Sequence, residues 1–254
     1  MDFNIAVFSF YQHKNLLPWC LKSIKTNIHG YNKIFVIWDD YLIKKQIDFN
    51  KIKSDVGIQF EVIKHTEIYN WPKRIGRWGW IRQQLAKMLC YTYIENKRTL
   101  IVDGDVIFTG DPNLFRNNKI YLRQDRDVVV PNCYKHFMTK YLDISKFSAH
   151  TWVGSTCMFE HDILKKIDDI CIEKNNMNLV ECVNNMLMTG KHADLPFSEF
   201  ETYGHFCEQH FRDRFIIDER NWCYPRELKQ TPIKIMWADN KENDLKQKFE
   251  RLCT

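Results

Sequence analysis

The first apolar run along the chain, Ile5-Ala-Val-Phe-Ser-Phe10, does not alternate with polar residues. Continuous runs of this length predict strands covered on both faces. Lys33-Ile-Phe-Val-Ile-Trp38 is a second such run, stopped by Asp39 and Asp40, and Gly57-Ile-Gln-Phe-Glu-Val-Ile63 predicts a third strand. Thr99-Leu-Ile-Val-Asp103 predicts a fourth. Between them the spacing turns helical: apolar residues at 16, 17, 20, 21 and 24 predict a helix over 15–27, ended by Gly30. Those at 80, 81, 85, 88, 89 and 93 predict another over 80–95. Buried strands alternating with helices predict an α/β fold with a mostly parallel central sheet. Ligands of such sheets sit at the carboxyl ends of the strands. Ser9–Tyr11, Asp39-Asp40 and Asp103 are therefore expected to face one crevice.

The second half is less regular. It predicts strands over 127–131 and 152–159, then helices over about 161–174, 178–189 (ended by Gly190) and 198–211. No repeat, low-complexity stretch or linker interrupts the chain. Residues 1–254 therefore read as one domain with two lobes, about 1–108 and 109–254.

With 44% apolar and 27% charged residues, the 254-residue chain is neither disordered, collagen-like nor a coiled coil. A net charge of +5 and a pI of 8.6, without any block of like charge, set it apart from nucleic-acid binders and leave room for a local basic cleft facing an anionic ligand. The nine cysteines form no C-x-x-C and no zinc-spaced cluster with histidine. The start of the sequence lacks signal-peptide features, and no run approaches the roughly 18 apolar residues of a spanning helix. The expectation is reduced thiols and a cytoplasmic protein without a transmembrane segment, with peripheral contact at a membrane left open. Aromatic residues reach 14%, which poses the question of packing rings against binding rings.

The segment richest in chemistry is Asp103-Gly104-Asp105, placed between the apolar runs ending at Val102 and beginning at Val106. Two carboxylates this close repel unless a cation lies between or beside them. A hard divalent ion such as Mn²⁺ or Mg²⁺ fills that role and bridges to phosphate oxygens. Gly104 keeps side chains away from the ligand. The plainer explanation is a turn with two solvated aspartates, since Asp-Gly is a common turn pair.

An N-terminal strand, an α/β region and an apolar strand running into D-x-D near position 100 together resemble the GT-A-fold glycosyltransferases, in particular small bacterial and viral GT-A-like proteins. Three further segments carry the resemblance, which spans about residues 3–212: Gly79–Lys87, Thr151–Phe159 and Phe197–Gly204. It implies a metal-dependent transfer of sugar from a nucleotide-diphosphate sugar, UDP-linked by expectation, to a hydroxyl of a glycan, lipid-linked or protein-linked acceptor. Asp105 is then the main metal ligand, with Asp103 touching the metal or the ribose hydroxyls. Ser9, Phe10 and Tyr11 line the base and ribose pocket, with core packing the alternative for Phe10 more than for Tyr11. Asp39 has two explanations of equal weight, a nucleobase contact or a solvated strand end. Arg82 and Lys87, and Arg74 or Arg77 in the loop before them, are candidates for the diphosphate. Five residues apart on a helix, Arg82 and Lys87 cannot share one narrow face.

Ser198-x-x-Glu201 reads as a capping box. Glu199 is either a general base opening toward the cleft or an acid placed for the helix dipole. The third metal ligand stays open among His150, Asp239 and water, since His205 and His210 follow Glu199 too closely. Tyr11, Trp71, Trp78, Trp80, Trp152 and Tyr203 are expected as cleft rings, and Phe3, Phe8, Phe35 and Phe108 as core rings. The rival activities are a haloacid-dehalogenase-type phosphatase and a nucleotidyltransferase, each built on the same two carboxylates. A non-catalytic sugar or nucleotide binder is the third alternative.

Overall fold

The four apolar runs of the first half all become strands, though not all within the expected bounds. The computed structural model describes residues 2–41, 47–72, 78–130, 132–189, 197–218 and 233–235. In chain order the first half holds β1 (Asn4–Phe10), α1 (Leu17–Asn27), β2 (Ile34–Asp39), α2 (Phe49–Val56), β3 (Glu61–Lys64), the one-turn α3 (His65–Ile68), α4 (Trp78–Met88), the short α5 (Cys90–Tyr93) and β4 (Arg98–Asp103). Next come β5 (Val106–Phe108), β6 (Phe115–Arg116), β7 (Lys119–Arg123), β8 (Asp125–Val129), α6 (Asn132–Leu142), β9 (His150–Thr151) and β10 (Thr156–Glu160). The remainder is α7 (His161–Asn175), α8 (Leu179–Thr189), α9 (Glu199–His210), β11 (Phe215–Asp218) and β12 (Ile233–Ile235).

The central sheet has the order β10-β4-β1-β2-β3. β4, β1, β2 and β3 are parallel, and β10 joins β4 antiparallel. Thus the protein is a mixed α/β fold with a mostly parallel sheet flanked by helices. β1 lies at the centre, and Ile5, Ala6, Val7 and Phe8 are wholly buried, as a run of apolar residues without polar alternation requires. β3 is the edge, and its charged ends Glu61 and Lys64 are both exposed, which suits an edge facing water. One continuous apolar core runs from Phe3 to Phe215 and includes residues of both halves of the chain.

Several boundaries moved for identifiable reasons. Gly57 does not open a strand. It takes φ +63° and closes α2, whose start is capped by the Asp48 carboxylate accepting from the Lys51 amide at 2.9 Å. The helix expected over 80–95 is two pieces, because Leu89 leaves helical geometry at ψ 3°. The strand expected over 152–159 splits into β9 and β10, with 152–155 irregular between them. Helices α2 and α6 carry enough polar residues to hide their periodicity and were not expected. Gly190, Pro131, Arg74, Arg77 and Asp239 lie outside the described residues. Among the described residues seven cysteines are all free, and no helix is long and apolar enough to cross a membrane.

Trp152 and α9 meet at Gly204, where a Cβ would fall inside the Trp152 indole. Only a residue without a side chain lets α9 approach this closely. Gly204→Ala is expected to cost about 1–3 kcal/mol of stability by overpacking, read as a lowered denaturation midpoint with an unchanged m-value.

Candidate functional site

The chain leaves β1 toward β2 and β3, then returns on the other side of β1 at β4. Such a reversal opens a crevice at the carboxyl ends of the diverging strands. The register puts Asp103 opposite Phe8 and Asp39 opposite Phe10. The two aspartates therefore flank the end of β1, two strands apart, or about 10 Å by strand spacing.

The turn after β4 is fastened on both sides. The Asp103 amide donates to the Ser155 carbonyl at 2.9 Å, and the Gly104 amide to the Phe8 carbonyl at 2.8 Å. A Cβ on Gly104 would stand 2.8 Å from Ser9 Oγ and 3.0 Å from the Phe8 carbonyl oxygen, so the glycine is required by close approach to β1. Ser9 is buried under this turn and reaches the site as packing beneath Gly104.

Helix α4 supplies two buried cations to the two strand ends. Arg82, 1% exposed, donates from Nη2 to Asp39 Oδ1 and Oδ2 at 3.3 and 3.2 Å, with its guanidinium 4.1 Å from the Tyr41 ring centroid. The Tyr41 amide also donates to Asp39 Oδ1, at 3.1 Å. Lys87, 3% exposed, lies 2.7 Å from Asp103 Oδ1 and 2.6 Å from Glu199 Oε1. The angular separation expected between Arg82 and Lys87 is realised in their different partners. Each meets a carboxylate of the protein, where contact with a diphosphate was expected.

Glu199 does open α9 at its first turn, but it is 3% exposed and faces Lys87. Burial raises its pKa, Lys87 opposes that rise and the Asp103 charge adds to it. Burial works against the charge on Lys87, yet Asp103 and Glu199 outweigh it and hold the ammonium above its ordinary range. Asp105 is different. No side-chain donor among the described residues reaches its carboxylate, and its pKa rises from 3.8 to about 7. Burial is the main cause and the Asp103 charge the second, offset in part by its own amide and by Lys87. Two acids this close, one neutralised only by a proton near pH 7, are a donor set that a hard divalent cation fits. Among the described residues no cluster of three or more His, Cys, Asp or Glu adds a third ligand.

Beside Asp39 lies a cavity of about 280 Å³ lined by Phe10, Tyr11, Gln12, Asp39, Gly79, Trp80 and Gln83. Trp80 is 39% exposed at its rim. The aromatic surplus thus divides differently from expectation. Phe10 lines the cavity with Tyr11 and Trp80, whereas Trp71, Trp78, Trp152 and Tyr203 are buried with Phe3, Phe8, Phe35 and Phe108. Gln12 and Gln83 were missed. Gln83 had a signal, as the neighbour of Arg82 on a helix presented to the site.

Glu201 and His205 are accounted for structurally. The Ser198 hydroxyl accepts from the Glu201 amide at 3.4 Å, but the Glu201 side chain does not return to complete a capping box. Its carboxylate accepts from the Thr151 hydroxyl and lies 3.3 Å from His205 Nε2. Trp152 Nε1 donates to His205 Nδ1 at 3.3 Å, which leaves the ring proton on Nε2, toward Glu201. This wholly buried chain anchors the segment 151–155, whose Ser155 carbonyl holds Asp103.

The sequence matches no protein-family model and no curated protein. Solved structures with a related outline include the glycosyltransferase GlyE of Streptococcus pneumoniae TIGR4, at 11% identity and a TM-score of 0.45 over 85% of this chain and 45% of that one. Its apo form gives 13% identity and a TM-score of 0.40 over 86% and 45%. The chain therefore spans less than half the length of the GlyE chain it resembles.

The Asp105 shift has a definite sign in stability. Between pH 4 and pH 7 the folded protein holds a proton that the unfolded chain has lost, so this group's contribution falls as pH rises through that window and is flat above it. Without divalent cations, Asp105→Asn is expected to gain stability relative to the wild type from pH 4 to pH 7. Chemical denaturation across that range with a chelator present measures the difference.

Proposed function

We propose that the protein is a glycosyltransferase that uses a nucleotide-diphosphate sugar and a divalent cation, Mn²⁺ or Mg²⁺. The observation that carries this reading is the pairing, at one sheet reversal, of the Asp103–Asp105 carboxylates with an aromatic cavity that has the Asp39 carboxylate in its wall. The cavity suits a planar base, stacked on Trp80, Tyr11 or Phe10. Asp39 accepts from Arg82 through both carboxylate oxygens, and the same oxygens can accept an N–H of the base. A ribose and diphosphate span the width of β1 from Asp39 to Asp103. Gly104 serves this span indirectly: its missing side chain lets the turn that carries both acids rest on β1, not on the ligand.

Asp103 and Asp105 would hold the cation. When bound there, it supplies positive charge to the leaving diphosphate. The acceptor hydroxyl attacks the anomeric carbon, the bond from that carbon to the phosphate oxygen breaks, its electron pair leaves with the diphosphate, and the hydroxyl proton passes to the departing diphosphate. UDP as the carrier, and a glycan, lipid-linked or protein-linked acceptor, belong to the same reading. The aromatic cavity favours it over a phosphatase, whose substrate needs no base pocket. The end of β1, Ser9-Phe10-Tyr11-Gln12, carries no glycine of the kind a nucleotidyltransferase loop needs.

Thermal-shift measurements with Mn²⁺ and a panel of nucleotide sugars test the proposal. One donor together with Mn²⁺ is expected to raise Tm by about 5–10 °C at a hundredfold excess over Kd, and Asp105→Ala is expected to abolish that shift. No response to any nucleotide in the wild type would overturn it.

A further inference from the structure

The site contains a cation of its own. Lys87 Nζ sits between Asp103 Oδ1 and Glu199 Oε1 at 2.7 and 2.6 Å. Its ammonium is 4.8 Å from the Phe200 ring centroid and 5.9 Å from that of Phe8, so the walls around it are aromatic. Swinging Lys87 out to a ligand would leave the buried Glu199 carboxylate unpaired beside the partly buried Asp103, which is strongly unfavourable. Glu199 is fixed in turn: its amide donates to Gln84 Oε1 at 3.2 Å, on the same helix as Lys87.

Asp103 is then determined on three sides. Its amide is held by Ser155, the following amide by Phe8, and its Oδ1 by Lys87. Oδ1 is completely covered, while the Asp103 side chain as a whole keeps 23% of its surface. Of its two oxygens, Oδ2 is the one left to carry that exposed surface.

We propose that Lys87 and Glu199 are positioning residues that make Asp103 a single-oxygen metal ligand, Lys87 by engaging Oδ1 and Glu199 by holding Lys87 in place. This rests on the metal-dependent reading above and deepens it. It gives Glu199 a role other than general base, and Lys87 a role other than phosphate contact. Partners behind a metal ligand orient it, and their loss typically weakens metal binding about 10- to 100-fold.

The test is the Mn²⁺ affinity of the full chain by isothermal titration calorimetry. The variant is the double substitution Lys87→Met with Glu199→Met, which removes one positive and one negative charge together. Net charge near the metal is unchanged, and what is lost is the clamp. A Kd for Mn²⁺ weaker by 10-fold or more, with circular dichroism like the wild type, is the expected result. If that protein does not fold, Lys87→Leu with Glu199→Leu removes the same clamp with side chains of another shape and carries the same expectation. A folded double variant that binds Mn²⁺ within twofold of the wild type overturns the positioning role. A wild type that binds no Mn²⁺, with or without nucleotide, overturns the metal-dependent reading itself and the positioning role with it. The two failures are distinguished by the protein in which they occur.

Discussion

Two carboxylates at the ends of the parallel strands on either side of β1 cannot stand in an apolar crevice without counter-charge, and helix α4 lies in this fold where it can provide it. Arg82 reaches Asp39 and Lys87 reaches Asp103 from one eleven-residue helix. Both cations are almost fully buried, a condition that Lys and Arg tolerate only when paired. Their separation around the helix axis matches the separation of the strand ends on either side of β1. The helix is thereby fixed in position and rotation. The cavity wall formed by Gly79, Trp80 and Gln83 follows from that placement.

The second anchor is the contact between the turn after β4 and the end of β1. Gly104 rests on the Phe8 carbonyl and over Ser9, closer than any side chain would allow. Asp103 and Asp105 are presented on a backbone held from β1, from Ser155 and from β5. Such over-determination fixes two acidic groups that would each otherwise turn toward water and away from the other.

Much of this was legible in the sequence. Runs such as Ile5–Phe10 and Leu100–Val102 announce buried parallel strands because a strand covered on both faces has no polar positions. The crevice followed from where those runs stop. What the sequence left hidden depended on contacts distant along the chain. Periodicity separated Arg82 from Lys87 but could not tell which acid each would meet. Trp152 and Tyr203 looked like cleft rings because they lie in segments near the site, yet Gly204 and Phe159 take them into the core. Glu201 stood at the right spacing for a capping box, and a buried histidine four residues on drew its carboxylate elsewhere. Helix α2 ended on a left-handed glycine that local composition had marked as a strand.

The short strand after the acidic turn has a temporal consequence. β5 follows Asp105 directly, and its partner in the sheet is β12, with Ile233 opposite Phe108 and Ile235 opposite Val106. During synthesis β4 and β5, on either side of the acidic turn, are made more than a hundred residues before β12. Until then the nascent chain carries β5 with an unfilled edge next to that turn. Folding order on the ribosome, and the need to shield that edge meanwhile, are set by this one antiparallel pairing.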